Sequence, residues 1–259
     1  MQKVLMLEKI GNVAVLTLNR PEVLNAINMD MRKGLADYFK GFAENDDVRA
    51  VVLTGTGRAF SSGGDIKGWK DADGGKSIDV IMDFAISTIK GIAALEKPVI
   101  AMVNGDALGA ACNLALACDL VIASDNARFG ELFVRLGLGP DWGGAYILPR
   151  LIGMMKAKEL LFTGKIISAQ EALDMGLISR VVPQDELKDE VMQFAETLAN
   201  SATRAIGMTK IFLNKIWRMD LNEALEYEKI MQAELMKTDD HQDAVKAFWN
   251  KEKPVFKGK

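Results

Sequence analysis

The chain has 259 residues, a length typical of one large domain or two small ones. Apolar residues make up 49% of it and charged residues 26%, which excludes a disordered chain. The formal net charge of −3 provides no general basic surface, so nonspecific nucleic-acid binding is not expected.

Strand and helix patterns alternate along the first half of the chain. The predicted strands are residues 4–7, 13–18, 50–53, 98–103 and 119–123, and the predicted helices are residues 28–42 and 78–95. A hairpin-like Gly11-Asn12 turn separates the first two strands. Strands that alternate with crossover helices predict an α/β fold, with a parallel sheet covered on both faces.

The second half is predominantly helical after Gly143, and its last strand candidate ends at Val181. We therefore expect an α/β core that carries the site over residues 1–200. A helical region over residues 201–259 would cover the site or a neighbouring subunit. The single histidine, His241, follows Thr and Asp residues that favour helix starts, so we expect a solvated helix-start residue there rather than a metal ligand.

The two cysteines, Cys112 and Cys118, are too few for a disulfide framework. We expect both to be small buried residues in a reducing, cytoplasmic setting. Glu8 and Lys9 interrupt the N-terminal apolar run, so no signal peptide is predicted. The uncharged run at residues 107–118 is too short and too rich in Gly and Ala to span a bilayer, so no membrane partner is expected.

Three glycine-rich segments lead from a strand or loop towards a helix, at residues 57–67, 103–113 and 136–144. Gly63 and Gly64 permit a sharp turn and close approach of a ligand to the backbone amides. The second segment enters a helix near Ala110, whose unpaired N-terminal amides suit an anion or oxyanion. The third carries one carboxylate, Asp141. Each segment alone could equally be a tight packing turn, and none is a P-loop or a Gly-x-Gly-x-x-Gly motif.

Further motifs occur in a fixed order around these segments. They are Leu-Asn-Arg-Pro-Glu-Val-Leu-Asn-Ala at residues 18–26, Phe-Ser-Ser-Gly-Gly-Asp at 60–65, Ile-Ala-Met-Val-Asn-Gly at 100–105, Cys-Asp-Leu at 118–120, Leu-Phe-Thr-Gly at 161–164, Ala-Gln-Glu-Ala at 169–172, Gly-Leu at 176–177, and Phe248, Lys251 and Phe256. Over nearly its whole length the chain thereby resembles the enoyl-CoA hydratase/isomerase (crotonase) superfamily.

The resemblance implies a crotonase-like spiral of repeated ββα units with a helical C-terminal trimerisation region, assembled as a homotrimer or dimer of trimers. It implies a coenzyme A thioester as substrate and no other cofactor. The backbone amides of Gly64 and Ala110 would form the oxyanion hole for the thioester carbonyl. Preorganised N–H donors of this kind stabilise the charge that develops on an enolate oxygen.

The resemblance also implies a set of substrate-binding residues. Those that would contact the acyl group or CoA are Gly64, Asp65, Ile66, Lys67, Ala110, Asn113 and Phe133, with Phe248 and Lys251 towards the CoA tail. Asp65 is expected to brace its loop rather than take part in chemistry. Trp69 and the loop at residues 71–76 are expected to cover the mouth of the site.

The sequence departs from the family's hydratases, which use two glutamates. Asn113 and Phe133 stand at the matching positions, and neither side chain can act as a general base. Glu131 is either the second acid in a shifted alignment or a residue turned away from the pocket. Asn113 would either bind a substrate oxygen or water, or satisfy buried backbone groups.

Asp141 is the remaining acid, at the position that single-aspartate isomerase branches of the family use. Burial against Trp142, Phe133 and Leu138 would raise its pKa towards neutrality and suit it to proton transfer. The alternative is that Asp141 is the N-cap of the following helix.

Three functions therefore remain. The first is an isomerase that shifts a double bond through a dienolate, with Asp141 as acid and base. The second is a hydratase of cyclic or conjugated enoyl-CoA that lacks the usual glutamate pair, and the third is a non-catalytic acyl-CoA-binding protein. A dehalogenase is disfavoured because no histidine stands near Lys90 and Lys97, where that branch carries one.

Overall fold

The computed structural model describes residues 3–66 and 78–259. Its strands form two sheets. The larger sheet contains β1 (Leu5–Ile10), β2 (Val13–Leu18), β3 (Ala50–Gly55), β5 (Val99–Val103), β7 (Leu120–Ser124) and β10 (Arg180–Val182), in that spatial order. The smaller sheet contains β4 (Ala59–Ser61), β6 (Asp106–Leu108), β8 (Arg128–Gly130) and β9 (Ile166–Ser168).

From β3 to β8, consecutive strands alternate between the two sheets. The pairs β3–β4, β5–β6 and β7–β8 each give one strand to each sheet, in the same order. Helix α1 (Met29–Glu44) follows the β1–β2 hairpin, α2 (Ile78–Ala94) follows β3–β4, and α3 (Ala110–Leu116) follows β5–β6. Pairing is parallel except at the β1–β2 hairpin and between β8 and β9. The predicted α/β class and its repeated ββα units are therefore confirmed.

The central strands of the larger sheet are buried on both faces, as their continuous apolar runs predict. Every residue of β3 is buried. Leu16, Leu53 and Ala101 belong to the main core, which also contains residues of α1 and α2. Val52 and Ile100 instead pack with α7 (Leu187–Ala199) in a second core.

Helices dominate the rest of the chain, as predicted. They are α4 (Gly144–Ile152), α5 (Met154–Thr163), α6 (Ala169–Asp174), α7, α8 (Thr203–Lys215), α9 (Leu221–Leu235) and α10 (Asp239–Asn250). His241 lies exposed in the first turn of α10, where its N–H donates to the Thr238 hydroxyl. Cys112 and Cys118 are buried and free. No helix in the described part of the chain is long and apolar enough to cross a membrane.

Candidate active site

A cleft of about 260 Å³ opens where the three glycine-rich segments meet. Its walls come from α1, from the turns after β4 and β6, and from the segment after β8. The lining residues are Arg32, Ser62, Gly63, Gly64, Ile66, Gly109, Ala110, Leu132, Phe133, Arg135, Leu136, Leu138 and Asp141.

The first turn presents the amide of Gly64. Ile27 donates to the Gly63 carbonyl at 2.7 Å, and Asp65 donates to the Ile27 carbonyl at 3.1 Å. The Gly64 N–H between them has no hydrogen-bond acceptor among the described residues. Gly63 has a φ of +97°, and a Cβ there would lie 2.6 Å from the Leu108 carbonyl oxygen. Only glycine fits this turn, which lies directly against the strand before the second turn.

The second turn presents the amide of Ala110. Gly109 has φ +54° and ψ −123°, and its own N–H donates to the Gly130 carbonyl at 2.7 Å. Helix α3 then begins at Ala110, whose N–H also has no acceptor within the described part of the chain. Gly64 and Ala110 line the same cleft. Two uncommitted donors placed in this way can hold one carbonyl oxygen that gains negative charge.

Asp141 lies in the same cleft and does not cap α4. The N-cap of that helix is Gly143, with φ +82° and no side-chain cap. Only the main-chain carbonyl of Asp141 takes part, accepting from Gly144 at 3.0 Å. The N-cap interpretation is therefore wrong. The Oδ1 atom is buried without a hydrogen-bond partner among the described residues.

The environment of Asp141 adjusts its acidity. Burial raises the pKa of its carboxyl to about 6, while the positive charge of Arg32 acts in the opposite direction. A carboxyl group with this pKa is mostly ionised near neutral pH and can still take up a proton and return it.

Arg32 is a buried charged residue of this site that the sequence analysis missed. It lies on α1, is 2% exposed and lines the cleft. Its guanidinium lies 5.4 Å from the ring centroid of Trp142. Burial lowers the pKa of Arg32, and Asp141 raises it. The sequence did contain a sign that Arg32 is buried. It stands three residues before Leu35 and seven before Phe39, and therefore on the apolar face of the helix.

Asn113 lies behind the wall of the cleft rather than in it. Its Nδ2 atom donates to the main-chain carbonyl of Asp141 at 2.8 Å and to Oε2 of Glu131 at 3.3 Å. The side chain is fully buried and is not among the lining residues. Of the two roles predicted for Asn113, binding a substrate oxygen or water and satisfying buried polar groups, the geometry favours the second.

Glu131 is turned away from the cleft. It is 1% exposed and borders a separate small void with Cys112 and Phe129. Burial raises the pKa of its carboxyl to about 7, against the lowering effect of hydrogen bonds from Cys112 and Asn113. Of the two roles predicted for Glu131, a second acid of the site or a residue turned away from the pocket, the geometry therefore favours the latter.

Some of the remaining predicted residues line the cleft or brace one of its turns. Ile66 and Phe133 line the cleft. Asp65 accepts a 2.7 Å ion-pair contact from Arg20, which also donates to the Ala26 carbonyl at 2.6 Å. This contact ties the Gly64 turn to the chain before α1, as a bracing residue would.

The other expectations lie away from the cleft or outside the described residues. Phe248 is 74% exposed near the end of α10, and Lys251 is the C-cap of that helix. Neither lines the cleft. Lys67, Trp69 and the loop at residues 71–76 lie outside the described residues. Within the described ranges, no group of three or more His, Cys, Asp or Glu residues is placed to hold a metal ion.

Comparisons with known proteins agree with this architecture. The family model described as enoyl-CoA hydratase/isomerase matches residues 8–259. A short-chain-enoyl-CoA hydratase of Clostridium acetobutylicum is 42% identical over 95% of both chains. A 1,2-epoxyphenylacetyl-CoA isomerase of Escherichia coli K12 is 38% identical, also over 95% of both.

Solved structures show the same fold. An enoyl-CoA hydratase of Bacillus anthracis superposes with a TM-score of 0.92 at 33% identity, covering 99% of this chain and 100% of that one. A structure from Streptomyces coelicolor, described as a possible enoyl-CoA hydratase, gives a TM-score of 0.94 at 35% identity, over 99% and 94%. With its crotonase fold, the chain belongs to the enoyl-CoA hydratase/isomerase family of enzymes.

Proposed function

We propose that this enzyme is an acyl-CoA isomerase that shifts a carbon–carbon double bond through a dienolate, with Asp141 carrying the proton. One observation carries the proposal. Among the described residues, Asp141 is the only carboxylic acid that lines the cleft, and it shares that cleft with the uncommitted amides of Gly64 and Ala110.

The reaction would proceed in two proton transfers. The thioester carbonyl oxygen accepts hydrogen bonds from Gly64 and Ala110. The Asp141 carboxylate removes a proton from C2 or C4 of the enoyl group, and the electron pair of that C–H bond delocalises onto the carbonyl oxygen. The carboxyl proton of Asp141 exchanges with solvent while the dienolate is bound, and Asp141 then donates a proton to the other carbon. No atom is gained or lost, and one carboxyl group serves both steps.

Hydration is the second candidate, because relatives named as hydratases favour it. The residues of this cleft weigh against it. Asn113 and Phe133 replace the two glutamates, and neither can activate water. Glu131 borders another void, so among the described residues Asp141 is the only acid left to activate a water in the cleft.

The C-terminal region supports an assembly proposal. Large apolar side chains are exposed along α8 to α10 and beside them; they include Leu213, Trp217, Leu221, Leu225, Ile230, Phe248 and Trp249. Apolar exposure on this scale marks a contact surface. We propose that it joins subunits into a trimer or a dimer of trimers, which light scattering would test; a monomer would contradict it.

The proposed reaction is tested by incubating linear and cyclic enoyl-CoA thioesters with the enzyme in D₂O and analysing them by mass spectrometry. The isomerase predicts deuterium on carbon and a moved double bond, without added water. A product heavier by one water would instead establish the hydratase. Tight binding without any change in the thioester would establish the non-catalytic alternative.

A further inference from the structure

Arg32 carries an inference about the substrate of this site, and it rests on the proposed function because it concerns the acyl group bound in the same cleft. We propose that Arg32 donates a hydrogen bond to an uncharged oxygen of the acyl group, such as a ketone or ether oxygen. The preferred substrates would then be acyl-CoA thioesters with an oxygenated but non-ionic acyl part.

The guanidinium of Arg32 has an uncommitted hydrogen-bond donor. A buried charged group is stable only when its charge and its hydrogen-bonding groups are compensated. The negative charge of Asp141 lies close enough to raise the pKa of Arg32, and the Trp142 ring contributes a cation–π contact. Nη1 of Arg32 nevertheless has no hydrogen-bond partner among the described residues, and neither has Oδ1 of Asp141. Nη1 is itself buried, so the missing acceptor would be a ligand oxygen that the guanidinium reaches where Arg32 lines the cleft.

The charges already present in the cleft favour an uncharged acceptor for Arg32. Arg32 and an ionised Asp141 together carry no net charge. A carboxylate on the acyl group would leave one uncompensated negative charge beside Asp141, in a cleft otherwise walled by residues such as Leu132, Phe133 and Leu138. Arg135 also lines the cleft but is exposed, so water screens its charge. A ketone or ether oxygen accepts the hydrogen bond without adding charge.

The test uses saturated ligands, which bind but contain no double bond to shift. Cyclohexylacetyl-CoA is compared with analogues in which a ring oxygen replaces each ring CH₂ in turn, and with the 4-carboxycyclohexyl analogue. Affinities are measured by titration calorimetry for the wild type, for Arg32→Met and Arg32→Lys, and for the matched control Lys33→Met. Lys33 is the neighbouring cation on α1, but it is exposed and does not line the cleft.

A hydrogen bond to a charged donor predicts that at least one ring-oxygen ligand binds the wild type about tenfold more tightly than the carbocycle. Arg32→Met removes this preference, Arg32→Lys keeps part of it, and Lys33→Met leaves it unchanged. If the wild type binds every ring-oxygen ligand and the carbocycle with equal affinity, the proposal is overturned, even if Arg32→Met fails to fold. Tighter binding of the carboxylate ligand, or an unchanged preference in Arg32→Met, would also overturn it. Because no probe reacts, failure here is distinct from failure of the exchange assay in D₂O.

Discussion

The side-chain amide of Asn113 holds the main-chain carbonyl of Asp141 at 2.8 Å and the carboxyl of Glu131 at 3.3 Å. This amide stands where the hydratases of the family are expected to carry their first glutamate. Here it serves as a buried donor between two acceptors. The position therefore supports the segment that carries Asp141.

Replacing Asn113 with Asp tests this role. The new carboxylate keeps the shape of the side chain but faces two acceptors without a donor. We expect the free energy of unfolding to fall by about 1–3 kcal/mol, as measured by urea denaturation at pH 8. Asn222→Asp is the control, because Asn222 is exposed in the first turn of α9 and should change stability by less than about 0.5 kcal/mol. Equal stability of the two variants would contradict the role of Asn113.

The Gly63 turn is predicted to be intolerant of a side chain. In Gly63→Ala, a positive φ and a Cβ placed 2.6 Å from the Leu108 carbonyl would push the two amide-bearing turns apart. Misplacement by about 1 Å can cost roughly 10²-fold in rate, so we expect kcat to fall by about that factor. Gly41→Ala on α1 is the control, since a Cβ there meets nothing within 4 Å. A Gly63→Ala enzyme with the wild-type kcat would refute this account of the turn.

Glu131 should make stability depend on pH. Its carboxyl has a pKa of about 7 in the folded chain, above its unfolded value, so the folded state binds the proton more tightly. As pH rises from 4.5 to 7, the unfolded state releases its proton first, and stability falls by up to about 3 kcal/mol before levelling off.

Glu131→Gln removes this dependence. Relative to the wild type, the variant should gain stability progressively between pH 4.5 and 8 in urea titrations. Glu228→Gln, an exposed residue of α9, should run parallel to the wild type at every pH. A constant difference between Glu131→Gln and wild type across this range would show that Glu131 ionises normally.

The pH dependence of kcat/KM should report Asp141. The basic form removes the proton, so activity is expected to rise with pH through about 6 and then level off. Arg32 lowers the pKa of Asp141, so Arg32→Met should move this rise to higher pH, while Lys33→Met should not. A carbocyclic substrate keeps the measurement independent of oxygen binding. If the rise in Arg32→Met stays at the wild-type pH or moves to lower pH, the charges of Arg32 and Asp141 do not interact as described.

Long apolar patterns predicted the larger sheet well. The buried run at β3 and the Asn28 cap of α1, which accepts from the Met31 N–H at 3.0 Å, are strong local signals. Strands β4, β6, β8 and β9 were not predicted, because three residues are too few to show an alternation. They became visible only through their pairing.

The site was only partly predictable. The glycine pattern indicated both amide-bearing turns. It could not show that Gly143, in the left-handed conformation, caps α4 instead of Asp141, because aspartate and glycine are both favoured at N-caps. Arg32 was not predicted as a site residue because an arginine on an amphipathic helix is usually solvated. Its burial depends on Trp142, more than a hundred residues away along the chain.

The role proposed for Asp141 is to move a proton between two carbons of a bound thioester. The decisive measurement is the rate of deuterium incorporation into an enoyl-CoA in D₂O, compared between wild type, Asp141→Asn and Glu131→Gln. We expect Asp141→Asn to bind the thioester normally but to exchange about 10²–10⁴-fold more slowly, and Glu131→Gln to exchange at nearly the wild-type rate. Wild-type exchange by Asp141→Asn, or loss of exchange in Glu131→Gln alone, would contradict this role.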